Sequence, residues 1–376
     1  VNTIEIKLVE NSRSPHYLDF RGLPFRIYRD TPQWVPWFHR TVKAFVDRKH
    51  PLFEHSCGDF YVALRQGRPL GRIFVLENTR YNETHNLRSA HFLLFDTVDE
   101  EGVVHALLRK AVDWGRKRGL EVLLGPMGLG GVTGGGLLIE GFEHRAAMTM
   151  MNYNHAYYQT HIEAFGFEKY MDNFSFYLPT SARLPSEIEK TARQLEAAGR
   201  FKVLAFRTKG ELARIADQVV AVFLETLGRH VGNYLLSRGE LETLKQNLLE
   251  IADPRLLKII TCEEKVIGFL FGFHDLSAAI QKSRGRLHPL AIYRLMRERK
   301  KADWLLINGL GILPDYQGTG ANFLLYAEIE RAIRAYPKFK HLEMVQIQET
   351  TAKMLSNVET LRGRIHKTHR IYRHPL

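Results

Sequence analysis

The segment of this 376-residue chain best equipped for chemistry is Gly311-Ile312-Leu313-Pro314-Asp315-Tyr316-Gln317-Gly318-Thr319-Gly320-Ala321-Asn322. It ends an apolar run, Leu305 to Leu313, and opens an amphipathic stretch, Ala321 to Tyr336. Leu325, Ile329, Ala332, Ile333 and Tyr336 share one face of that stretch. A glycine-rich turn that opens a helix leaves several backbone N–H groups without partners at the positive end of the helix dipole. That is a site for a pyrophosphate, which the glycines let the backbone approach with no Cβ in the way. A strand-to-helix turn can need glycine for its geometry alone. The length of this pattern and its place between strand and helix favour binding.

Other segments carry weaker signals. Gly125-Pro126-Met127-Gly128-Leu129-Gly130 continues to Gly136 and follows a strand, as a dinucleotide fingerprint does, but Leu137 to Gly141 opens no helix, so a flexible loop is expected. From Lys282 to Lys301 nine basic or histidine side chains face one acid, Glu298. The expectation is a solvated helix, Leu290 to Lys301, with Ile292, Leu295 and Met296 inward. The functional alternative is an insertion that lids an acceptor site and favours an anionic group. His366 and His369 lie three apart in a predicted strand, where they face opposite sides and chelate poorly, so no metal is expected. There is no Gly-x-Ser-x-Gly elbow and no Gly-x-x-x-x-Gly-Lys loop, so hydrolase and NTPase chemistry lacks support.

The elements that must position these groups alternate between strand and helix. Phe60 to Leu64 and Leu70 to Leu76 form a hairpin about Gln66-Gly67, and Ala90 to Asp96 is a third strand. Val104, Leu107, Leu108 and Ala111 mark one face of a helix that ends at Gly119, and Glu121 to Leu124 is a strand. The proline-flanked break from Leu178 to Pro185 precedes a linker helix, with Ser186 and Glu189 as its predicted capping box and Gly199 at its end. The second half repeats the plan. A long helix carries Leu212 to Phe223, a second starts with the box Ser237–Glu240, and Leu256 to Phe273 forms a hairpin. The strand before Gly311 and the helix from Ala321 follow. Strand Leu342 to Ile347, a helix from about Thr351 and strand Thr368 to Tyr372 complete the half. The expected domains are 1–180 and 200–376, joined by a linker helix, 181–199, and related by divergent duplication.

The glycine-rich segment resembles motif A of the GNAT superfamily of acyl-CoA-dependent N-acyltransferases, Gln/Arg-x-x-Gly-x-Gly/Ala. Gln317 and Gly320 match, Ile312 to Tyr316 is similar to the family's lead-in, and the final position is Asn322. In the first half, Glu163-Ala164-Phe165-Gly166-Phe167 is similar to the family's late helix. The loop there that would correspond to motif A, Thr97 to Val103, has no such pattern and carries Asp99, Glu100 and Glu101, which would repel a pyrophosphate. The resemblance implies an α/β (α+β) fold class: two tandem GNAT-like domains, each a mixed, mostly antiparallel central sheet flanked by helices. The first would be degenerate.

For the site, the resemblance implies acetyl-CoA, or another acyl-CoA, as cofactor. Leu310, Gly311 and Ile312 would meet the pantetheine and thioester, and Gln317, Gly318, Thr319, Gly320, Ala321 and Asn322 the pyrophosphate. A primary amine, on a small molecule or peptide, would attack the thioester carbonyl directly, with backbone N–H groups stabilising the oxyanion. A base takes the amine proton, and an acid, often a tyrosine on the late helix, protonates the thiolate. Ser356 stands at that position here, and Tyr372 is the nearest tyrosine in sequence. Base candidates are Glu225 and His230, near the helix end where substrate enters in this family, and Glu343. Each is also an ordinary solvated or packing residue. Two other classes stay open. One is an aminoacyl-tRNA-using transferase of the peptidoglycan-bridge type, whose members generally lack the Gln-x-x-Gly motif. The other is a non-catalytic tandem protein that binds CoA or a small molecule.

Composition bounds these readings. Hydrophobic residues at 45% and charged residues at 25% exclude a disordered chain, a fibre and a membrane bundle. The apolar runs fall short of the ~18 residues of a membrane span. The alternating, polar start of the chain predicts no secretory signal. Two cysteines, Cys57 and Cys262, exclude a disulfide framework and make a reducing cytoplasm the expected home. The net charge of +12 draws polyanions in general, but without readout motifs nucleic acid is not the expected partner.

Overall fold

In a computed structural model, which describes residues 3–128 and 133–376, strands buried along nearly their whole length build the centre of the first sheet. Its strands run in the order β1 (Glu5–Leu8), β2 (Cys57–Arg65), β3 (Arg68–Glu77), β4 (Ser89–Thr97) and β5 (Val122–Gly125), with the end of the last strand, β13 (Arg364–Pro375), beyond β5. β4 and β5 are parallel, and the remaining pairs are antiparallel. β6 (Leu137–Glu140) pairs with β13. Four short helices, α1 (Tyr17–Gly22), α2 (Pro24–Ile27), α3 (His39–Val46) and α4 (Thr79–His85), surround the sheet together with α5 (Glu101–Arg116) and α6 (Tyr157–Ala164). The stripe Val104, Leu107, Leu108 and Ala111 puts α5 on β3, and these residues are wholly buried in the core.

The second sheet runs β7 (Glu168–Pro179), β12 (His341–Gln348), β11 (Trp304–Ile312), β10 (Lys265–His274), β9 (Leu257–Cys262) and β8 (Phe201–Leu204). β11 and β12 are parallel; β8, β9, β10 and β11 pair antiparallel in turn. Helices α7 (Ser186–Ala198), α8 (Lys209–Leu227), α9 (Arg238–Ile251), α12 (Ala321–Ala335) and α13 (Ala352–Thr360) flank it. Between β10 and β11 the chain forms α10 (Ser277–Ser283) and α11 (Pro289–Lys301). The fold is α/β, with mostly antiparallel sheets flanked by helices.

The compact units are not the linear halves. The first takes residues up to Asn173 with Ser277–Met296 and Lys367–Leu376; the second takes Phe174–Leu276 and Arg297–His366. Both contain the same irregularity. Leu94 and Phe95 of β4 stand against one residue of β3, and Asn308 and Gly309 of β11 stand against one residue of β10. A bulge of this kind bends the strand away from its other neighbour. Its recurrence at the matching strand supports duplication.

Two local expectations are corrected. The box Ser237–Glu240 forms, but Ser186–Glu189 does not: Ser186 is already helical, the N-cap is Pro185, and no side chain caps α7. In α11, Ile292 and Met296 point outward, 51% and 64% exposed, and Ala291 is the residue that packs. β8, only four residues long, was invisible to periodicity.

Candidate active site

In the second unit β11 and β12 pair only from Trp304–Ile307 against His341–Met344. Beyond that point the bulge turns β11 aside, with Gly309 at φ 113°, a left-handed value that a side chain resists. Leu310, Gly311 and Ile312 keep β10 on one side, and among the described residues no strand pairs with them on the other. Gln346 donates from Nε2 to Asn308 Oδ1 at 3.2 Å where the two strands separate. The Thr226 hydroxyl of α8 lies where a Cβ on Gly311 would stand.

The glycine turn follows. Gly318 and Gly320 sit at φ 79° and 85°, and Gln317 donates from Nε2 to the Ile312 carbonyl at 3.1 Å. Thr319 Oγ1 donates to the Tyr316 carbonyl at 2.7 Å. Among the described residues, no acceptor takes a hydrogen bond from the backbone N–H groups of Gly318, Thr319, Gly320, Ala321 or Asn322. They form a row of free donors at the start of the 15-residue α12. Lys353, an exposed residue of α13, donates from Nζ to Gln317 Oε1 at 3.1 Å, which sets a cation beside the turn. No motif in the sequence pointed to it.

Tyr326, one helical turn beyond Asn322, was also missed. Its hydroxyl is buried, and burial pushes its pKa up to about 12, so it stays protonated. The carboxamides of Asn322 and Asn357 lie beside it, yet neither completes a hydrogen bond. Asn322 is thus turned toward Tyr326 and α13. Ser356 is exposed on α13, while the Tyr372 hydroxyl donates to Glu163 Oε1 at 2.8 Å inside the first unit.

The base candidates fall in different surroundings. Glu225 is exposed on the last turn of α8. His230 is half-buried in the loop that follows, and burial lowers its pKa, so its imidazole is neutral at pH 7. The next residue, Val231, accepts from Gln348 Nε2 at 2.6 Å, which ties this loop to the end of β12. Glu343 is wholly buried, opposite Leu306 where β11 and β12 are still paired.

The first unit has used the equivalent groups. The Thr97 N–H donates to the Tyr158 hydroxyl at 2.7 Å, and the Tyr157 hydroxyl donates to the Thr97 carbonyl at 2.5 Å. Asp99 meets His161 at 2.8 Å, and α5 starts at Glu101 with no glycine turn before it. A cleft with about 80 Å³ of free space does lie beside the β4 bulge, lined by Arg21, Phe25, Trp34, Trp37 and His39 among others. Burial, then the charges of Arg21, Arg286 and Arg284, lower the His39 pKa. Of the glycine loop at 125–136, Leu129 to Val132 lie outside the described residues.

A sheet opened by a bulge, with a glycine turn leading into the next helix, is a fold this chain shares with solved GNAT proteins, a tandem one among them. A tandem GNAT protein from the clavulanic acid biosynthesis pathway, solved without acetyl-CoA, matches with a TM-score of 0.54 and 11% identity, over 99% of this chain and 98% of its own. Two curated proteins are similar along nearly their whole length. Protein YghO of Escherichia coli (strain K12) is 24% identical over 94% of this chain and 91% of its own. A bacterial ceramide synthase of Caulobacter vibrioides (strain NA1000 / CB15N) is 23% identical over 94% and 93%. No family model matches the chain.

Proposed function

We propose that this chain is an acyl-CoA-dependent N-acyltransferase whose donor binds at the glycine turn of the second unit. The observation that carries this reading is the row of free backbone N–H groups from Gly318 to Asn322, next to a stretch of β11 with no partner on one side. Those donors suit a pyrophosphate at a helix N-terminus, and Lys353 adds charge. Acyl-CoA supplies an activated thioester carbonyl: the amine nitrogen bonds to it as the C–S bond breaks. A backbone N–H among Leu310 to Ile312 that faces away from β10 polarises that carbonyl. Neutral His230 is the base we favour for the amine proton, ahead of exposed Glu225 and enclosed Glu343. The thiolate, with a pKa of about 8.5, leaves without requiring an acid.

For the acceptor, the ceramide synthase relative favours a lipid amine, since a ceramide is an N-acylated one. Calorimetric titration with CoA, then release of free thiol from short- and long-chain acyl-CoA in the presence of long-chain or small polar amines, tests both readings. Failure to bind CoA at micromolar concentrations, roughly −8 kcal/mol, removes the donor assignment. Turnover with small polar amines alone removes the lipid acceptor.

A further inference from the structure

Helix α11 carries most of its large apolar residues on the side away from the protein. Of its 13 residues only Ala291 is buried, while Leu290, Ile292, Tyr293 and Met296 are 50%, 51%, 59% and 64% exposed. With Leu287 they make five of the ten exposed large apolar side chains among the described residues. At about 100° per residue, Ile292, Tyr293 and Met296 form one outward stripe. Arg297, Lys300 and Lys301 are exposed on the same helix beside it. Eight cations and one acid lie between Lys282 and Lys301. Arg299 is excluded from this surface, since it donates to the Ala252 carbonyl at 3.1 Å.

An apolar stripe rimmed by cations suits the surface of an anionic bilayer, where apolar side chains enter the acyl boundary and cations meet lipid phosphates. A nucleic acid would engage the cations and leave Ile292 and Met296 in water. A second copy related by a two-fold axis would set the same cations against themselves. We propose that α11 docks this protein peripherally on an anionic membrane. No described helix is long and apolar enough to cross one. The segment leading into α11 is held within the first unit: Gly285 accepts from the His39 N–H at 2.8 Å, and Gln281 Nε2 donates to the Pro32 and Trp34 carbonyls at 2.7 and 2.8 Å. The inference rests on this surface and not on the acyl-transfer reading.

The test is sedimentation of the full chain with vesicles of phosphatidylcholine alone, or with about one-third phosphatidylglycerol. Binding should need the anionic lipid and weaken with salt. Replacing Arg297, Lys300 and Lys301 together with alanine should lower partitioning by roughly fivefold per charge, on the order of a hundredfold in all. Ile292→Ser with Met296→Ser should lower it about tenfold at unchanged charge. These side chains are exposed, so an unchanged melting temperature serves as the folding control. The proposal is overturned if the wild type ignores anionic vesicles at low salt, or if either variant binds as well as the wild type. It is equally overturned if the apolar pair instead controls dimerisation, or if RNA binds where vesicles do not.

Discussion

Gly318 stands at φ 79° with nothing within 4 Å of where a Cβ would project. It can therefore carry a charge without disturbing packing, and asparagine and aspartate tolerate this backbone best after glycine. Gly318→Asp should bind CoA at least tenfold more weakly than Gly318→Asn, since a carboxylate near two phosphates costs roughly 1–2 kcal/mol at this surface. Equal affinities in calorimetry would remove the turn as the pyrophosphate site. Gly320 is a poorer probe, because a Cβ there meets Leu195 Cδ1 at 3.0 Å and Thr191 Cγ2 at 3.4 Å on α7. His230 yields a pH prediction. Burial lowers its pKa from the ordinary value of about 6.5, so the neutral base persists to lower pH. kcat should fall as pH drops, with a midpoint below that value, and His230→Gln should abolish this acid limb. A limb that survives the substitution places the base elsewhere.

At the scale of elements, the turn into β9 is held by a buried carboxylate. Asp253 accepts from His274 Nε2 at 3.0 Å and from Arg255 Nε and Nη2 at 3.0 and 3.1 Å. Burial alone would raise its pKa, but the hydrogen bonds from His274 and Arg255 outweigh it and hold the group well below the carboxylate range. A depressed pKa contributes stability that is complete above the unfolded value, about 3.9, and is lost as pH falls from there toward the folded one. Asp253→Asn should cost about 2–3 kcal/mol at pH 7 in urea unfolding, with the deficit shrinking below about pH 4. No change at pH 7 would contradict this. For α11 the period of the apolar residues was legible and their direction was not. Ile292 and Met296 share a face whatever that face meets.

For the whole molecule, the first unit offers no second turn of the same kind among the described residues. Its Thr97 groups are taken by Tyr157 and Tyr158, and its helix opens directly at Glu101. CoA should bind with a stoichiometry of one, and replacing Asp99, Glu100 and Glu101 with their amides should leave the affinity unchanged. A second binding site lost with those substitutions would contradict this division of labour.

Covalent neighbours were enough to read most strands and helices, the Ser237–Glu240 cap and the glycine turn, because each is set by spacing within a few residues. The lack of a glycine motif in the loop Thr97 to Val103 was legible for the same reason. Tertiary structure decided what spacing cannot encode. It gave residues 277–296 and 367–376 to the first unit, enclosed Glu343, and brought Lys353 to Gln317 from 36 positions away. It placed a bulge at Leu94, where no glycine announces one, and turned the α11 stripe outward. Periodicity states which residues share a face. Whether that face meets protein or solvent depends on packing summed over distant segments of the chain.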